Sequence, residues 1–272
     1  MKAVISLLKH HSPLLSRFIS GQVILQFFNM LNGFLLLRWL NIEEQAIFSI
    51  AFSLQTLINC LSDLGFSGSI IALSSDRYLD KRVLGGYISS AKHLRSIFFI
   101  ISLFITIFLV PLYVNNNFSN GYILWINLLP VILAVYWQAD SGIYASALII
   151  HKDLKAYYKP QLITAALRLV INYLLFVSNY ISSLTILIVN ALITLYIGRQ
   201  YKKLATNFYE KNIDDKGPRK QMFRYLLPLM PSYIFNSFFG QFQIFIIAYF
   251  GKVQNIAEIA ALGRLSQIFL LL

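Results

Sequence analysis

The sequence predicts an all-α fold, a polytopic transmembrane helix bundle of about eight helices: a first six-helix lobe and the start of a second. Three observations predict it. The chain is 57% hydrophobic and only 12% charged, with a mean hydropathy of +0.64. Soluble domains carry about 25% charged residues, so half that share leaves too little polar surface to coat a globule. The apolar residues fall in long runs without alternation, and the loops between the runs alternate in charge.

A spanning helix needs about 20 mostly apolar residues. Eight runs qualify: 16–40, 46–73, 87–114, 122–150, 161–178, 182–200, 222–250 and 257–272. Helices are favoured over strands because an open sheet in lipid leaves backbone groups unpaired. Lys2, Lys9 and Arg17 precede the first helix, which is too long for a signal-peptide core and lacks a small-x-small cleavage site. Basic clusters then recur at every second connection: Arg77, Lys81 and Arg82, with Lys92 and Arg95 at the start of the next helix; Lys152, Lys155 and Lys159; and the run from Arg199 to Arg224. Of the 23 Lys and Arg residues, only Arg38 and Lys252 fall on the other side, while Arg168 and Arg264 lie within helices. The positive-inside rule then places the N-terminus in the cytoplasm. The net charge of +12 is read as this topological signal, and no nucleic-acid partner is expected. Trp39, Tyr113, Tyr122, Tyr157, Tyr158, Tyr180 and Tyr201 fall near helix ends, as interfacial aromatics do. Pro111, Pro130, Pro228 and Pro231 lie inside helices or at their ends, where prolines mark kinks.

Residues 1–201 form the expected first lobe, 202–221 a cytoplasmic linker ending in Lys216, Gly217 and Pro218, and 222–272 the first two helices of a second lobe. An internal repeat supports this division. Arg17 aligns with Arg224, Phe28 with Phe235, Asn29 with Asn236 and Gly33 with Gly240, one constant offset. Transporters are often built from such repeats. Because the sequence stops at Leu272 within an apolar run, it reads as the N-terminal portion of a protein of twelve or more helices, with a natural eight-helix protein as the alternative.

Polar residues recur on one face of several helices. Gln22, Gln26, Asn29 and Gly33 follow an i, i+4, i+7, i+11 spacing on the first helix, and Ser232, Asn236, Gly240 and Gln243 repeat it on the seventh. The second helix carries Gln55, Asn59 and Ser62 with Asp63 beside them, and the eighth carries Arg264 and Gln267. A substrate cavity lined by Arg264, Gln22, Gln26, Asn29, Asn59, Asn236, Gln243 and Gln267 is one reading; hydrogen bonding between helices is the other. Asp63, Asp140 and Arg168 are structural or coupling charges, each costing about 2.5–3.5 kcal/mol to insert. Asp140 and Arg168, on consecutive helices, are expected to pair. Arg264 suits an anionic cargo such as a phosphate, and Arg38 an interfacial anchor.

Several functions lack support. There is no phosphate-binding loop for an ATPase, and the single cysteine, Cys60, excludes a disulfide framework. No His or Cys pair has metal-ligand spacing, so neither metal nor cofactor is expected. His10 and His11, His93 and His151, Glu43 and Glu44, and Asp76 and Asp80 read as tail, membrane-edge, turn and loop residues. No convincing acid–base constellation remains for an enzyme.

Three passages resemble the bacterial polysaccharide-biosynthesis flippases, the O-antigen and capsule repeat-unit translocases of the multidrug/oligosaccharidyl-lipid/polysaccharide exporter superfamily. They are LLLRWLNIEEQAIFSIAFSLQTL (Leu35 to Leu57), LSDLGFSGSI (Leu61 to Ile70) and HKDLKAYYKP (His151 to Pro160). The segment GKVQNIAEIAALGRLSQ (Gly251 to Gln267) repeats the first in the second lobe. The resemblance implies two six-helix lobes, alternating access, and a polyprenyl-diphosphate-linked oligosaccharide as cargo, moved from the inner to the outer leaflet of the bacterial cytoplasmic membrane. Membrane lipid and other polysaccharide-assembly proteins are the implied partners. By position, Arg264 would face the cavity and Asn29, Asn59 and Asn236 would line it. The alternatives are a multidrug or cation-coupled exporter, which wants an acidic cluster, and a membrane polysaccharide polymerase, which wants a large outer loop.

Overall fold

The computed structural model describes the backbone of residues 2–117, 122–211, 213 and 216–269; within these, the side chains of residues 2–17, 109, 111–117, 216 and 264–269 are outside the description. Expectations resting on the side chains of Arg17, Tyr113, Arg264 and Gln267 therefore lie outside the described residues. Among the described residues ten α-helices follow in order: α1 Lys2–Trp39, α2 Ile42–Asp63, α3 Phe66–Ser74, α4 Lys81–Asn117, α5 Tyr122–Ile150, α6 Leu154–Val177, α7 Ser183–Ala205, α8 Lys216–Leu226, α9 Met230–Phe250 and α10 Val253–Phe269. Among the described residues there is no strand. Among the described residues seven stretches are long and apolar enough to cross a membrane: α1, α2 with α3, α4, α5, α6, α7 and α9. The chain is a multi-pass helical membrane protein. The eighth expected span, α10, has 17 described residues, about 26 Å against a hydrocarbon core of roughly 30 Å.

Local chemistry sets the helix ends. Asn41 caps α2, its Oδ1 accepting from the Glu44 amide at 2.8 Å. Asp153 caps α6 through the Ala156 amide, and Ser182 with Thr185 forms a capping box on α7. The second expected helix breaks where Leu64 and Gly65 take positive φ values of 37° and 86°. Gly65 is required there: a Cβ would also stand 2.8 Å from the Tyr233 ring. The seventh expected helix breaks between α8 and α9 as well. Pro228 has no amide to continue the ladder, and Pro231 begins the new helix. Its counterpart α1 runs unbroken, so the two copies of the repeat differ in shape.

α2 is the central helix, with Ile50, Leu57 and Ile58 fully buried. It packs against α4, α5, α9 and α10, so α9 and α10 dock directly on the first lobe. α5 lies along α7, α7 beside α6, α6 beside α1, and α1 touches α10. The outer faces are apolar and exposed, as at Phe108 (77%) and Phe250 (79%), which suits lipid contact. The loops bearing the basic clusters meet at one end of the bundle, where His151 stacks on Phe208 at 4.2 Å and meets Tyr78 edge-on. The expected linker is folded against that end. Glu210 donates its amide to the Lys81 carbonyl at 2.9 Å, the Tyr87 hydroxyl donates to Gln221 at 2.7 Å, and burial beside Tyr144 pushes the Tyr209 phenol up to about 12.

Candidate functional site: two polar chambers and a waist

α1 leans towards α6 rather than along α2, and the space between them opens into two chambers of about 570 Å³ each. The chamber nearer the basic end is lined by Asn59 and Asp63 of α2, Ser67 of α3, Arg95 of α4, Gln138 and Ser141 of α5, Gln161 and Thr164 of α6, and Thr194 and Tyr201 of α7. The far chamber takes Gln26 and Asn32 from α1, Ser49 and Ser53 from α2, Gln241 and Gln243 from α9, and Ile259 and Ala260 from α10. Five residues line both: Asn29, Phe52, Thr56, Arg168 and Asn190. They form the waist where the chambers meet.

Arg168 is the charge at that waist. No carboxylate forms an ion pair with it among the described residues, and its buried Nε has no hydrogen-bond partner. The expected pair with Asp140 is not formed. Asp140 lies 3.8 Å from Lys92, one turn or so towards the basic end, with half of its side chain exposed. The two residues stand at different depths: Asp140 is ten residues from the end of α5, Arg168 fourteen from the start of α6.

Arg95 is buried (3% exposed) at the floor of the chamber nearer the basic end. Its Nη1 donates to the Ala139 carbonyl and lies 3.5 Å from Asp63 Oδ1; its Nη2 donates to Asn59 Oδ1 at 3.2 Å. Gly142 lets the guanidinium reach the α5 backbone, since a Cβ there would meet Nη1 at 3.2 Å and Ser67 Oγ at 2.9 Å. Asp63 Oδ1 also accepts from Ser67, from the amide at 3.2 Å and the hydroxyl at 2.7 Å, across the α2–α3 break. Two amide pairs tie the chamber walls: Asn190 donates to Gln55 at 3.1 Å and Asn172 to Asn32 at 2.8 Å.

Of the sequence-predicted residues, the chambers bring together Gln26, Asn29, Asn59, Asp63, Arg168 and Gln243. Gln22 and Asn236 line neither chamber, and Asn236 donates to Ser232 at 3.4 Å on its own helix. The side chains of Arg264 and Gln267 are outside the described residues. Arg95, expected at the start of the third helix among the basic-end charges, lies deeper: the Asp80 carboxylate accepts from the Arg82 and Val83 amides and starts α4 at Lys81, placing Arg95 four turns inside. The polar faces of α6 and α7 were missed too. Gln161, Thr164, Arg168 and Asn172 follow i, i+3, i+7, i+11, and Asn190, Thr194 and Tyr201 follow i, i+4, i+11, the same kind of stripe found on the first helix. No protein-family model matches the sequence, no curated protein matches it, and no solved structure matches the fold.

Proposed function

We propose that the chain carries an anionic, lipid-linked sugar through the membrane, as a flippase for a polyprenyl-diphosphate-linked oligosaccharide in the bacterial cytoplasmic membrane. The observation that carries this reading is Arg168, a guanidinium with no counter-ion among the described residues, at the waist between two polar chambers. Holding a cation inside a membrane protein is costly. A diphosphate passing the waist would supply the missing charge, and its oxygens match the guanidinium fork. Asn, Gln, Ser, Thr and Tyr side chains around the chambers offer hydroxyl and amide partners suited to sugar. The apolar outer faces leave the lipid tail in the bilayer.

The cation-coupled exporter reading wants a carboxylate free to take up a cation. Asp63 is engaged by Arg95 and Ser67, and Asp140 by Lys92. That occupation favours the flippase. On this reading the basic end and the N-terminus face the cytoplasm.

The test is genetic and chemical. Cells carrying Arg168→Ala in the whole gene should retain the protein in the membrane, lose surface polysaccharide, and accumulate polyprenyl-linked repeat units on the cytoplasmic face. Arg168→Lys should restore part of the flux, because it keeps the charge and loses the fork. Unchanged lipid-linked pools with normal surface polysaccharide in Arg168→Ala cells would sink the reading.

A further inference from the structure

α1 and α6 each carry two faces. Towards the chambers they present Asn29, Asn32 and Arg168. On the opposite side the same two helices enclose a groove of about 580 Å³. The Asn172–Asn32 hydrogen bond of 2.8 Å ties the helices together on the chamber side of it. The groove is apolar along its length, with Leu31, Leu35 and Val170 among its walls. Aromatic rings close its outer end, where Trp39 stacks on Phe176 at 5.0 Å and leans on Tyr173 at 6.2 Å. Its single formal charge is Arg38, in the last turn of α1, exposed and in no ion pair among the described residues.

The dimensions match one lipid chain. From Leu31 to Arg38 the helix rises about 10 Å, against roughly 15 Å for one leaflet's hydrocarbon. An acyl chain lying in the groove would therefore place its phosphate at the level of Arg38, where interfacial aromatics also sit. A soluble anion has no use for the apolar walls, and an uncharged chain has no use for the arginine. We infer that the α1–α6 groove is a binding site for a net-anionic phospholipid, with its phosphodiester on Arg38 and one acyl chain between Leu35 and Val170. A zwitterionic lipid is disfavoured because its ammonium group would meet Arg38. The complement of Arg38 to the helix dipole accounts for a cation there but not for a groove beneath it. The site is separate from the chambers and independent of the cargo proposed for them.

Native mass spectrometry of the purified chain tests this, with phosphatidylglycerol or phosphatidylcholine added in detergent. Phosphatidylglycerol should be retained in preference. Arg38→Gln should weaken retention by about fivefold, the effect of one basic residue near an anionic headgroup. Val170→Trp fills the groove from its lipid-facing side while keeping Arg38, and should also weaken retention. Lys252→Gln, which removes a cation outside the groove, should change nothing. Equal retention of both lipids, or full retention in either Arg38→Gln or Val170→Trp, would overturn the site. Release of phosphatidylglycerol by Arg38→Gln alone would reduce Arg38 to a plain interfacial anchor.

Discussion

Arg95 and Arg168 carry the same guanidinium and meet opposite surroundings. Arg95 is held by Asp63, Asn59 and the Ala139 carbonyl, whereas Arg168 has no such acid beside it among the described residues. Removing one partner of a buried pair leaves the other charge uncompensated and costs about 3 kcal/mol or more. Asp63→Ala should therefore lower stability by about that amount, read from thermal unfolding in detergent. Arg168→Ala should cost little or even stabilise the fold. Equal losses in the two variants would contradict the assignment of Arg95 to structure and Arg168 to cargo. Arg168 was legible in the sequence because it interrupts an apolar run. The depth of Arg95 was not, because Lys92 and Arg95 sit at the start of the third helix when that helix is begun at Tyr87, whereas the Asp80 cap begins α4 at Lys81.

At the scale of elements, helix positions were legible and helix breaks were not. Hydropathy locates membrane depth, and all of α5 falls on its expected range. Breaks depend on single residues within apolar sequence. The α2–α3 break needs Gly65 at φ 86°, packed under Tyr233 of α9. Gly65→Ala should cost about 1–2 kcal/mol for the left-handed backbone, and more where the Cβ meets the ring. Part of that cost should vanish in a Tyr233→Ala background, a coupling that a double-mutant cycle on unfolding measures directly. Strict additivity would mean that the ring does not constrain the break. The stripes on α6 and α7 were equally open to a periodicity reading. They escaped it because their polar residues are diluted by larger apolar neighbours such as Leu167, Leu192 and Ile193.

Across the whole molecule, the charge alternation and the packing agree on one basic end. The loops around Tyr78, His151 and Phe208 converge there, while Glu44 accepts from the Ser183 amide at 2.5 Å at the other. With Cys60 replaced, single cysteines at Asp76 and Tyr180 should react with an impermeant thiol reagent from opposite sides of sealed vesicles. Labelling of both from one side would refute the span count. The gathering of the basic loops at one end was legible from the charge alternation. The chambers were only half legible, because their walls come from helices far apart in sequence that only the packing brings together. One such contact spans 212 residues: Gln45 at the start of α2 donates to the Ala257 carbonyl of α10 at 3.1 Å. At ribosomal speeds that interval takes about 10–40 s to synthesise. During biogenesis the central helix must therefore wait in the bilayer, its amide-bearing side unmatched, until the last described helices arrive. Nascent chains halted within that window should crosslink from α2 to whatever insertase or chaperone shelters them, and lose the crosslink once α10 has emerged.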